Sequence, residues 1–154
     1  MKRVIKNAML IFVLLITFGL SAQNIIKIDK NKMSDKSIAS KVNVLKASTD
    51  ITYLKSNGEV KYGSSNSKTI QFNYNQINFL NNINSSYQSD IEFAIIQISS
   101  DFNSTIYLNS LSQLTALNFI YLLVEKNVSD TALVNSINAN NPNWTIAYEF
   151  SLPE

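Results

Sequence analysis

From residue 69 onward the chain alternates apolar runs with segments of helical spacing. The apolar runs are TIQFN (69–73), IEFAIIQI (91–98), NFIYLLV (118–124) and TIAYEF (145–150), and their starts lie 22, 27 and 27 residues apart. The middle two are nearly continuous, as expected of strands covered on both faces. Between the runs, NQINFLNNINSSY (75–87) places Ile77, Leu80 and Ile83 on one side. SDTALVNSINANN (129–141) opens with Ser129 as N-cap and Asp130 in the first turn, where a carboxylate favours the helix dipole. Leu133, Val134 and Ile137 form its apolar stripe, and Asn138, Asn140, Asn141 and Pro142 end it. Such alternation predicts an α/β fold of three to four β–α units on a largely parallel sheet.

An N-terminal β-hairpin is predicted ahead of these units. ITYLKS and EVKYGS flank Asn57-Gly58 across 51–64. Asn-Gly favours a two-residue type I′ turn, because both central positions need positive φ. That register sets Tyr53 opposite Tyr62 and places Ile51, Tyr53, Val60 and Tyr62 on one face. Residues 24–50 form an N-terminal segment and linker: NIIKIDK (24–30) reads as a short strand and KNKMSDKS (30–37) as polar linker. Residues 38–48 fit either a helix through Ile38, Val42 and Leu45 or a strand at VNVL. The domain proper spans 51–154.

One stretch has a period of its own. In LNSLSQLTALNFIYLLV, leucines fall at 108, 111, 114 and 117. A spacing of three does not follow an α-helical face, which recurs at 3.6 residues; it suits a 3₁₀-like segment entering a strand. From Leu108 to Leu122 the pattern resembles part of a leucine-rich repeat. That resemblance implies a stack of β–α units as the alternative to an ordinary α/β sheet. It departs from the repeat pattern at Glu125, where asparagine belongs, and the preceding strand unit lacks the leucine spacing.

The N-terminus changes the charge picture. Lys2, Arg3 and Lys6 precede an uncharged apolar run, Ala8 to Leu20, closed by small or polar Ser21, Ala22 and Gln23. This is the layout of a secretory signal peptide over 1–23, and the run is shorter than the ~20 residues a spanning helix needs. No cysteine follows it, which excludes a lipid-anchored form. A bacterial protein exported to the periplasm or the extracellular space is expected, touching the membrane only through the signal before cleavage. Without that segment the chain keeps ten lysines against 11 acids and no arginine, a formal charge of −1. The arginine fork that reads phosphate and guanine is missing, so nucleic acid is not an expected partner. The remaining charges are uneven: residues 24–68 carry a net +5 and residues 69–154 a net −6. Opposite signs draw the two halves together, or else leave a lysine-rich arm for an anionic surface such as envelope polysaccharide.

The available chemistry is narrow. The chain has no histidine and no cysteine, which removes the usual neutral-pH base, thiol nucleophiles and thiolate metal sites. Three scattered glycines build no phosphate-cradling loop. No cofactor and no metal is expected. Asp101, Glu125 and Glu149 follow or end three strands, at the edge where parallel sheets place ligands; paired carboxylates there would suit glycoside hydrolysis. DFNSTIY (101–107) begins like a calcium loop, but Ile106 replaces the required glycine and Ser112 the bidentate glutamate. Trp144, after NNPN, is the aromatic expected to be partly exposed and to contact a ligand. The expected function is a non-enzymatic binding or structural module with an unknown protein or polysaccharide partner. A small carboxylate-based polysaccharide hydrolase is the alternative.

Overall fold

The computed structural model describes residues 24–28, 35–125 and 128–151; the signal-peptide reading of 1–23 and most of the linker reading of 30–37 lie outside them. The protein is built on a seven-stranded mixed sheet in the order β1 (Asn24–Lys27), β9 (Thr145–Phe150), β7 (Phe119–Val124), β5 (Phe93–Ile98), β4 (Thr69–Asn73), β2 (Thr52–Leu54), β3 (Val60–Lys61). Every pairing is parallel except β2–β3. The strands β4, β5, β7 and β9 lie side by side in chain order, and their register sets Ile70, Ala94, Ile120 and Ile146 in one row and Phe72, Ile96, Leu122 and Tyr148 in the next. These rows face the main core, which the returning segments cover.

The covering layer is mostly 3₁₀ helix. One 3₁₀ segment spans Tyr74–Asn82 and a second Asn109–Gln113; a single α-turn, α2 (Ser85–Gln88), and a longer helix, α3 (Asp130–Ser136), complete it. A 3₁₀ helix has 3.0 residues per turn, so a spacing of three keeps side chains on one edge. Leu108, Leu111, Leu114 and Leu117 are all buried. Their backbones are laced by successive bonds in which Leu111, Leu114 and Leu117 N–H donate to the leucine carbonyl three residues earlier, at 2.9, 2.9 and 3.0 Å. Tyr74, Ile77, Leu80 and Ile83 repeat the same spacing and are also buried. Asn73 caps this first segment: its side chain accepts from Asn75 N–H at 3.3 Å, and Gln76 Oε1 accepts from Asn73 N–H at 2.9 Å. Ser129 caps α3 through Ala132 N–H at 3.2 Å.

A short parallel ribbon, β6 (Ile106–Tyr107) with β8 (Ile137–Asn138), joins consecutive units within this layer. Tyr107 N–H also donates to the Tyr74 hydroxyl at 2.7 Å, so three successive units are tied laterally.

The described part of the N-terminal segment joins the sheet and packs on it. β1 closes the β9 edge, and the ambiguous segment is a helix, α1 (Lys36–Ala47), capped by Asp35 and burying Ile38, Val42 and Leu45. α1 packs on the second face of the sheet against Ile95, Phe119, Tyr121 and Ala147, forming a separate smaller core. Three of the four described ion pairs join the lysine-rich first half to the acidic second half: Lys27–Asp130, Lys46–Glu149 and Lys68–Glu92.

The hairpin exists but its register differs by one residue from the expected one. Leu54 faces Val60 and Tyr53 faces Lys61. Among the described residues Gly58 alone has positive φ, +80°, so Asn57 does not. A type I′ turn is thereby excluded. Gly58 N–H donates to Lys55 O and Lys55 N–H to Glu59 O, both at 2.9 Å, giving a three-residue loop with glycine in the left-handed position. A slip of one residue turns side chains to the opposite face. Tyr53 therefore points to solvent on the second face, while Tyr62 meets Tyr87 with ring centroids 4.4 Å apart.

Candidate functional site

α1 covers only part of the second face. Its stripe sits over β5, β7 and β9, and two lysines brace it: the Lys41 Nζ is 5.6 Å from the Phe119 ring centroid, and the Lys46 Nζ is 5.6 Å from that of Tyr121. Lys46 also donates to both Glu149 oxygens, at 2.8 and 2.7 Å. The Tyr121 hydroxyl is buried beneath this pair. Burial first, and the Glu149 carboxylate second, push its pKa far above the ordinary tyrosine range. Glu149 acts on the hydroxyl electrostatically, but the group makes no hydrogen bond of ordinary geometry.

Beyond α1, the same face of β4, β2 and β3 is open. β-strand alternation points Gln71 and Asn73 of β4, Gln97 of β5, Tyr53 of β2 and Lys61 of β3 to this side. Tyr53 and Lys61 are exposed, and the three amide residues are half-buried. Asn73 is engaged, donating to Ser99 Oγ at 2.7 Å and capping the first 3₁₀ segment. Gln71 and Gln97 make no side-chain hydrogen bond among the described residues. Toward the strand N-termini this surface runs into a groove of about 330 Å³ beside α1, floored by Thr69 and Phe93 and walled by Lys41 and Val44. Val44 is 67% exposed on the solvent side of α1.

The rim charges are mostly committed. Asp50, on the far side of the groove, accepts from Ser64 N–H and Oγ, both at 2.6 Å. Those bonds hold its pKa below the ordinary carboxylate value. Lys68 is hydrogen-bonded to Glu92, which raises the lysine pKa. Lys41 and Lys61 form no ion pair among the described residues.

The sequence-derived candidates are dispersed. Asp101 is exposed and lines a polar cleft of about 350 Å³ with Asn73, Tyr74, Ser99 and Phe102, and no second acid lines that cleft. Glu125 is exposed just after β7, its N–H donating to Ile98 O at 2.9 Å. Glu149 is buried under α1 and held by Lys46. Among the described residues no three acidic, histidine or cysteine side chains converge to hold a metal ion. Trp144 corrects the expectation of a partly exposed ring: it is 2% exposed and belongs to the main core. The turn after Pro142 carries it inward as the last residue before β9, where burying so large a ring outweighs wetting it.

Sequence reading passed over Gln71, Gln97 and Tyr53. A signal was present for Gln97, the one polar residue of the strand FAIIQI, whereas Gln71 is one of three polar residues in TIQFN. Comparison of the chain with protein-family models, curated proteins and solved structures finds no match.

Proposed function

We propose that the protein is an exported, non-enzymatic binding module of the bacterial envelope or secretome that engages its partner through the half of the sheet α1 leaves open. One observation carries this reading: the amides of Gln71 and Gln97 stand on a rigid sheet without hydrogen-bond partners among the described residues, beside an exposed tyrosine. Amides bring both donors and acceptors, and a sheet fixes their backbone positions, leaving only the side-chain torsions to be ordered on binding. The absence of histidine and cysteine from the whole chain supports a role without catalysis. Export rests on the basic, apolar and small-residue layout of residues 1–23. Among the described residues no helix is long and apolar enough to cross a membrane.

The test is site-specific photo-crosslinking in the native host. A benzophenone side chain is placed at Tyr53 or Gln97, and at Ser110 as the control on the covering layer. The expected result is an adduct with an envelope component from the first two positions and none from Ser110. Equal labelling from all three positions, or polysaccharide turnover that disappears in Asp101→Asn, would overturn the proposal. Mass spectrometry of the exported form should find a chain beginning between residues 22 and 24; an intact Met1 on a cytosolic form would refute export.

A further inference from the structure

The open face has a second property besides its free amides: its charge balance is positive. Two of the acids around it are neutralised by lysines of the chain, Glu59 by Lys55 and Glu149 by Lys46, while Asp50, bonded to the neutral Ser64, keeps its negative charge on the groove wall. Two cations form no ion pair among the described residues, Lys61 and Lys41, the second lying over the Phe119 ring. Lys61 pairs in register with Tyr53 at one flank, and Lys41 walls the groove at the other.

Between these flanks lie Tyr53 and Gln71, and Gln97 stands two residues further toward the strand C-termini. Tyr53 is in register with Gln71, and Asn73 with Gln97, so Gln71 and Gln97 sit on adjacent strands two residues out of step. Strand spacing and rise place their Cα atoms about 8 Å apart. An exposed aromatic face, two free amides and two flanking cations match a ligand that presents apolar ring faces, hydroxyls and spaced negative charge together. Resting on the binding-module reading above, we infer that this surface takes an acidic polysaccharide, with a sugar ring on Tyr53, hydroxyls on Gln71 and Gln97, and carboxylates near Lys41 and Lys61. An acidic peptide would answer the lysines and pair its backbone with the amides, but it presents no regularly spaced ring faces to Tyr53. A neutral glycan would leave the cations unanswered.

Binding of the full exported chain is measured by affinity electrophoresis and calorimetry against three polymers: polygalacturonate, the same polymer methyl-esterified, and polyglutamate. The expected result is retention by polygalacturonate alone. That affinity should fall at least tenfold between 50 and 500 mM NaCl, because exposed charges are screened over about a Debye length. The Lys41→Gln, Lys61→Gln double variant should lose at least tenfold, and Gln71→Ala with Gln97→Ala at least threefold, with Trp144 emission unchanged as evidence of folding. Equal binding to the esterified polymer overturns the acidic requirement. Equal binding to polyglutamate overturns the glycan. Binding to none of the three overturns this inference and leaves the binding-module reading to the crosslinking test, which depends on no particular ligand.

Discussion

Replacing Tyr121 by phenylalanine should make the protein more stable. The hydroxyl is fully buried and makes no hydrogen bond of ordinary geometry, with the Glu149 carboxylate as its nearby acceptor, whereas in the unfolded chain it is hydrated. Leaving such a group unsatisfied costs roughly 1–3 kcal/mol. The nearby Glu149 charge recovers part of that through the O–H dipole, which favours the lower end, about 1 kcal/mol. The ring itself contributes packing under Lys46 and α1, and phenylalanine keeps that contribution. With a urea m-value on the order of 1.5 kcal/mol/M for a domain of this size, the unfolding midpoint should rise by about 0.7 M. Trp144 is the sole tryptophan and is buried, so its emission reports the transition directly. A midpoint that falls by a similar amount would refute the reasoning, since it would mean the hydroxyl is bonded in solution, with Glu149 as partner. Repeating the substitution in a Glu149→Gln background would then reveal a coupling above about 0.5 kcal/mol.

Other consequences follow from the same framework. Lys46→Met strands the buried Glu149 carboxylate without its cation and should cost ~1–2 kcal/mol, the lysine's 40% side-chain exposure limiting the effect. Glu149→Gln leaves an ammonium that can turn to water and should cost less; the reverse order in urea midpoints would count against α1 being clamped this way. Gly58→Ala, at φ +80° and with Asn82 and Phe79 within 3.2 Å of the added methyl, should cost about 1–2 kcal/mol by denaturant titration; an unchanged midpoint would contradict the left-handed loop. Burial, with the Asp130 carboxylate second, pushes the Tyr148 pKa up to about 12. The folded state therefore holds its proton after the unfolded chain has lost it. Stability from this group is complete below about pH 10 and is lost as pH climbs towards 12. Tyr148→Phe should flatten that alkaline decline in midpoints measured from pH 9 to 12, and an unaltered slope would refute the assignment.

The strands of the repeating half were legible because their apolar runs are long and bounded. β4 and β9 match TIQFN and TIAYEF at both ends, and β5 and β7 begin one or two residues inside their runs. Three features were not legible, each for a stated reason. The hairpin register depends on whether Asn57 or only Gly58 takes positive φ, which the dipeptide Asn-Gly does not decide. The docking of β1 beside β9 joins residues about 120 positions apart, which no local period encodes. Trp144 sits at the mouth of a strand, where polar neighbours imply exposure and the turn geometry imposes burial. The open face of the sheet escaped for a different reason. Gln71 and Gln97 gain meaning only once α1 is known to stop short of β4, and α1 itself was ambiguous between helix and strand.

The leucine ladder at 108–117 also constrains how this protein can change in length. Each rung is closed by a three-residue turn bond, helical over Asn109–Gln113 and non-helical from Leu114 onward. Excising one rung, or adding another, returns the following side chains to the same edge and leaves the strand after it facing as before. Removing a single residue rotates everything downstream by about 120° and drives polar groups into the core. Insertions and deletions in this stretch should therefore be tolerated in whole threes and rejected in ones and twos, giving the covering layer a unit of growth set by helical pitch.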